Sequence, residues 1–148
     1  MRSEKDEILA TESDDWSQIH RLIDSLSPEQ AAKPSYYPEG WSAKDALGHI
    51  GAWLAEAGMV LEQIYAGSYR PDEIDIDAMN AKFLEAMRDV PFDGIRAQAM
   101  AARTRMLRAL SALPEVTEEA LQWVRKSGSD HYREHLARLR EWVEELRA

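Results

Sequence analysis

The chain has 148 residues, no cysteine, 45% hydrophobic and 30% charged residues, and a formal net charge of −9. That length fits one domain with one core, residues 1–148, and the missing cysteines exclude disulfides, thiolate metal ligands and a cysteine nucleophile. The acidic balance argues against nucleic acid as a partner, no apolar run nears the ~20 residues of a membrane span, and the mixed-charge start is unlike a signal peptide, which points to the cytoplasm.

Nearly every long segment has a helical period, and none alternates as a strand does. Ile8, Trp16, Ile19, Leu22, Ile23 and Leu26 recur at helical spacing in a first helix, whose middle is weakened by the charged residues from Glu12 to Asp15. Ser27, Pro28 and Gln30 then supply the N-cap, N1 proline and capping glutamine of a short helical turn, and Pro34, Pro38 and Gly40 make a loop. Ser42 with Asp45 three residues on opens a second long helix. Its stripe is Leu47, Ile50, Leu54, Ala57, Leu61 and Ile64, and Gly67 ends it. Gly48, Gly51 and Gly58 lie inside, each costing about 1 kcal/mol relative to alanine. They mark either the close approach of another helix or a second subunit, or simply tolerated poor propensity.

Ser68 to Asp77 is polar, contains Pro71 and reads as a crossover. Asp77 is expected to cap a short helix through Met79, Phe83, Leu84 and Met87, which Val90 and Pro91 break. Asp93 is expected to cap a third long helix carrying Ile95, Met100, Met106, Leu107, Leu110 and Leu113, ended by Pro114. Thr117 begins a further piece, interrupted at Ser127, Gly128 and Ser129. The last helix runs from Asp130 to about Leu146, with Tyr132, Leu136, Leu139, Val143 and Leu146 on one stripe. Four long helices with short connectors predict an all-α bundle.

The chemistry sits in the histidines, of which there are four. His131 and His135 are spaced i, i+4, so both imidazoles leave one face of the last helix a turn apart, the geometry by which one helix offers two nitrogens to one ion. The pair lacks the glutamate of the H-E-x-x-H zinc proteases. His49 flanks the stripe of the second helix and has two readings, a half-buried core histidine or a third ligand that the bundle brings to the other two. Three neutral imidazoles with an open position suit zinc, nickel or iron. His20 lies one turn before Asp24 and reads as a solvated or ion-paired side chain.

The run Gly40-Trp41-Ser42-Ala43-Lys44-Asp45-Ala46-Leu47-Gly48-His49-Ile50, with Trp53 after it, resembles the W-S-x-K-D-x-L-x-H-[IL]-x-x-W signature of the DinB-like superfamily, which includes YfiT-like and mycothiol-dependent maleylpyruvate isomerase-like proteins. His131-Tyr132-x-x-His135 resembles its second motif, and Asp75-Ile76-Asp77 with Asn80 its central region. The resemblance implies a four-helix bundle with a long crossover between the second and third helices, and a divalent metal held by His49, His131 and His135. It also implies thiol-dependent transfer or isomerisation on a small electrophile, with a low-molecular-weight thiol as cofactor. A protein without cysteine does thiol chemistry only with a thiol from outside. Metal-dependent hydrolysis of a small molecule, or a non-catalytic metal-binding homodimer, are the alternatives. Trp53 and Tyr132 are the pocket candidates, each with core packing as the competing role. Trp41 reads first as an apolar anchor at the helix start, Asp45 as a cap before a partner for His49, and Glu134 as a solvated charge.

Overall fold

Side-chain caps set most of the helix starts. The computed structural model describes residues 3–34, 36 and 40–147, in which seven helices and no strand are found: α1 (Glu4–Asp24), α2 (Pro28–Ala32), α3 (Ala43–Ala66), α4 (Ile76–Met87), α5 (Phe92–Ala112), α6 (Glu118–Ser127) and α7 (Ser129–Arg147). Ser3, Ser27 and Ser42 each close a reciprocal box with Asp6, Gln30 and Asp45, so two otherwise orphaned N–H groups are satisfied at each start. Gly67 ends α3 in the left-handed conformation, φ 74°, that a side chain would strain. Two expected caps fall elsewhere. Asp75, not Asp77, caps α4, and Pro91 occupies the N-cap position of α5, leaving Asp93 inside the first turn. A carboxylate there still faces the helix dipole favourably. Of the expected loop residues, Pro34 and Gly40 lie in bends, and Pro38 lies outside the described residues.

The register of the contacts gives the helix directions. Gly48, Gly51 and Gly58 of α3 meet Ile95, Ala99 and Met106 of α5 in ascending order, so α3 and α5 run parallel. Glu12 and Gln18 of α1 meet Tyr132 and Arg140 of α7, also parallel. Lys5 reaches the Leu113 carbonyl while Glu12 reaches Arg103, so α1 and α5 are antiparallel. The four long helices are therefore arranged up, down, down, up. Parallel neighbours of 24 and 21 residues require a return path along the bundle, about 36 Å for α3, and the crossover carrying α4 supplies it. Lys44 fastens its end by donating to the Arg88 and Val90 carbonyls.

The glycines of α3 serve close approach within the chain. A Cβ on Gly51 would lie 3.0 Å from the Ala99 Cα, so the two backbones pack with no side chain between them. That face is covered by α5, not by a second subunit. The charges from Glu12 to Asp15 do not interrupt α1 either. Glu12 is 1% exposed and fully partnered: it accepts from Arg103 Nε and Nη2 at 2.8 and 2.7 Å and from the Tyr132 hydroxyl at 2.8 Å. Three long helices are thus tied at one carboxylate. No helix is long and apolar enough to cross a membrane among the described residues.

Candidate metal centre

His49 leaves α3 a turn after Asp45, while His131 and His135 leave α7 on one face as their spacing requires. The break between α6 and α7 precedes them: Gly128 has φ −99° and ψ −111°, and a Cβ there would lie 2.6 Å from the Val124 carbonyl oxygen. The three imidazoles converge. One nitrogen from each lies within 4.8 Å of the others, and the His131 and His135 Nε2 atoms are 3.2 Å apart. Two nitrogens each about 2.0–2.1 Å from one tetrahedral ion would be separated by roughly 3.3 Å, so the pair is spaced as a chelate. Among the described residues no fourth ligand joins this group.

Burial keeps the rings neutral, the form in which imidazole binds metal. His131 is pushed down to about 3 by desolvation, then by the charges that His135 and His49 would carry; the Ser127 carbonyl one turn back opposes this weakly. His135 is lowered to about 4 by desolvation and by His49, and burial lowers His49 as well. The buried Nδ1 atoms of His49 and His131 make no hydrogen bond of good geometry, so no carboxylate stands behind them. Trp41 contacts the His49 ring edge-on at 5.6 Å. The tryptophan at the helix start thus walls the site as well as packing. Asp45 accepts from the Ser42 N–H at 2.9 Å and serves as the cap. His20 lies apart, 3.3 Å from Asp24.

A cleft of about 490 Å³ opens above His49 and His131, mostly apolar, with Trp53, Tyr69 and Trp123 in its walls. Trp53 lines this cleft from α3. Tyr132 does not: it points away from the cleft, 1% exposed, into contact with Trp16 and Glu12, because α7 turns that face toward α1. Glu134 lines the cleft mouth. Arg103 and Arg105 are held by Glu12 and Glu62 and Lys44 by carbonyls; among the described residues the cation lining the cleft is Lys126. Sequence reading missed Lys126, Tyr69 and Trp123, which reach the site from α6 and the crossover with no periodic signal.

Solved structures of similar fold include the colibactin self-resistance protein ClbS in complex with a dsDNA (TM-score 0.80, 14% identity, 96% of each chain). An uncharacterised protein from Escherichia coli UTI89 is similar (0.83, 13%, 97% of this chain and 94% of that one), as is DfsB, the sibling lethal factor precursor (0.81, 15%, 99% of each). No curated protein sequence matches. The ClbS complex corrects the exclusion of nucleic acid drawn from net charge: a protein of this fold does contact DNA, and a total of −9 averages over a surface on which local cations act separately. Residues 13–144 match the family described as the mycothiol maleylpyruvate isomerase N-terminal domain, and with nearly the whole chain covered the protein belongs to that family, a member of the DinB-like superfamily.

Proposed function

We propose that His49, His131 and His135 hold one divalent ion, zinc or nickel before iron, and that the protein transfers a low-molecular-weight thiol to a small electrophile in the cleft above them. The observation that carries this reading is the convergence of three neutral imidazoles, His131 and His135 buried and His49 half-buried, at the floor of an apolar cleft. A bound divalent ion supplies Lewis acidity, lowering the pKa of a thiol that reaches it. The chain's own residues do the rest. The imidazoles would hold the ion, Trp41 packs edge-on against the His49 ring, and the apolar walls keep water from competing for the electrophile. With no cysteine in the chain the thiol comes from solution, in keeping with a family described by mycothiol.

The test is elemental analysis of untagged protein beside His49→Ala, followed by thiol conjugation assays with mycothiol, bacillithiol and glutathione. One metal per chain, lost in the variant, together with metal-dependent loss of free thiol is the expected result. No metal after reconstitution with zinc and nickel overturns it. A second reading, metal-dependent hydrolysis, is favoured by one observation: Glu134 lines the cleft with His131 and offers a carboxylate base for water. The self-resistance role of ClbS is compatible with it. Glu134→Gln separates the two, since it should slow hydrolysis by about 10²-fold or more and leave thiol transfer nearly unchanged.

A further inference from the structure

Trp53 of α3 and Trp123 of α6 both line the cleft, and neither indole keeps its N–H free. Trp53 Nε1 donates to Asn80 Oδ1 at 2.8 Å and Trp123 Nε1 to the Tyr69 hydroxyl at 3.3 Å. Both polar ring edges are thus engaged with the crossover, and what the rings offer a ligand is π surface. The Trp53 bond has a second effect. By taking the amide oxygen of Asn80 it assigns the Nδ2 protons to the remaining arm, leaving a donor at the cleft. Lys126 Nζ is the other donor. Among the described residues it is the one cation lining the cleft, and no carboxylate there pairs with it.

We infer that the cleft selects a planar aromatic monocarboxylate, its ring against Trp53 and Trp123 and its carboxylate accepting from Asn80 Nδ2 and Lys126 Nζ. Size permits it: a cavity of about 150 Å³ accommodates benzene, so about 490 Å³ takes a substituted ring and leaves room for a second small molecule. Charge limits it. Among the described residues of the metal-free chain, Lys126 and Glu134 are the formal charges lining the cleft and they cancel, so a single carboxylate is matched by the lysine while a phosphate dianion would face Glu134 with one cation. The inference names the substrate class of the site proposed above and rests on that reading for its reaction, though not for its binding.

Isothermal titration with trans-cinnamate, its neutral isostere cinnamamide and the saturated 3-cyclohexylpropanoate tests it, on metal-free and zinc-loaded protein. Cinnamate should bind in both forms and more tightly than 3-cyclohexylpropanoate. Lys126→Met should weaken cinnamate about tenfold and leave cinnamamide unchanged. Asn80→Asp, which still accepts from Trp53, should weaken cinnamate similarly. The inference falls if wild type binds no cinnamate, if Lys126→Met binds it as tightly as wild type, or if the saturated acid binds equally well. Zinc-dependent binding indifferent to Lys126 would also sink this subsite while leaving the metal reading intact. Binding that depends on Lys126 in a protein that takes up no metal would keep the subsite and remove the proposed reaction.

Discussion

Glu12→Ala tests whether the buried carboxylate holds the bundle together. Glu12 is 1% exposed and accepts three hydrogen bonds, two from Arg103 and one from Tyr132. Removing one partner of a buried pair typically costs 3–5 kcal/mol, because the other charge is left uncompensated. The Arg103 side chain is 21% exposed and recovers part of its hydration, which moves the pair toward about 3 kcal/mol. The Tyr132 hydroxyl recovers none, being almost fully buried, and leaving it unpaired adds about 1–3 kcal/mol. The total is about 4–6 kcal/mol. With a urea m-value of about 2 kcal/mol/M, the midpoint should fall by about 2–3 M. Tyr132→Phe removes only the hydroxyl and should cost about 1.5–3 kcal/mol, and in the Glu12→Ala background it should cost almost nothing. Urea denaturation of the two single variants and the double variant measures all three. A loss below about 1 kcal/mol for Glu12→Ala, or full additivity of the two changes, would refute the account of a shared knot.

Gly51→Ala places a Cβ 3.0 Å from the Ala99 Cα; overpacking of about 1–3 kcal/mol against a propensity gain of about 1 kcal/mol leaves a net loss near 1 kcal/mol, read by thermal denaturation. Metal-free protein should lose stability between pH 6.5 and 5. His131 and His135 titrate near 3 and 4 when folded but near 6.5 when unfolded, so over this window the unfolded chain binds more protons and stability falls with pH, by on the order of 1–4 kcal/mol. Urea midpoints at successive pH values show it, and the slope should shrink in His131→Leu. His20→Ala should leave metal content unchanged, since His20 pairs with Asp24 away from the cluster; elemental analysis decides. Zinc at 100 times its Kd should stabilise the chain by about 2.7 kcal/mol, which calorimetry would read as a rise in Tm of roughly 5–10 °C.

The histidine cluster was legible in two parts: helical periodicity carries the His131 and His135 pair, whereas His49 joined it only through the resemblance of the run from Trp41 to Trp53. An i, i+4 pair fixes two imidazoles on one face whatever surrounds the helix, and His49 stands in register with the start at Ser42. The capping boxes at Ser27 and Ser42 are local chemistry and read directly. The start of α5 was not, because Pro91 already holds the extended φ and ψ of an N-cap and lets the helix begin two residues before Asp93 can cap it. Glu12 looked like an interruption because a charge in an apolar stripe is costly alone. Its partners lie 91 and 120 residues away, a distance at which a single sequence carries no signal. Lys126 and Trp123 belong to the same class: α6 is short, and only its packing against α3 and α7 aims them at the cleft.

The placement of the histidines follows from where the bundle leaves room. Along α3 and α5 small residues bring the backbones together, and along α1 and α7 the aromatic and ionic contacts of Trp16, Glu12 and Asp15 lock the pair. The α3–α7 contact is the slight one by comparison, and it is there that the three imidazoles meet. A ligand cluster placed in a well-packed seam would have to displace core side chains, whereas one at a sparse seam fills space that neither helix covers. Each half of the bundle is held by its own contacts, so the two sides of the site are positioned before any ion binds. On the metal reading proposed above, affinity would depend on how firmly α1 holds α7, which brings the Glu12 knot into the physics of the site.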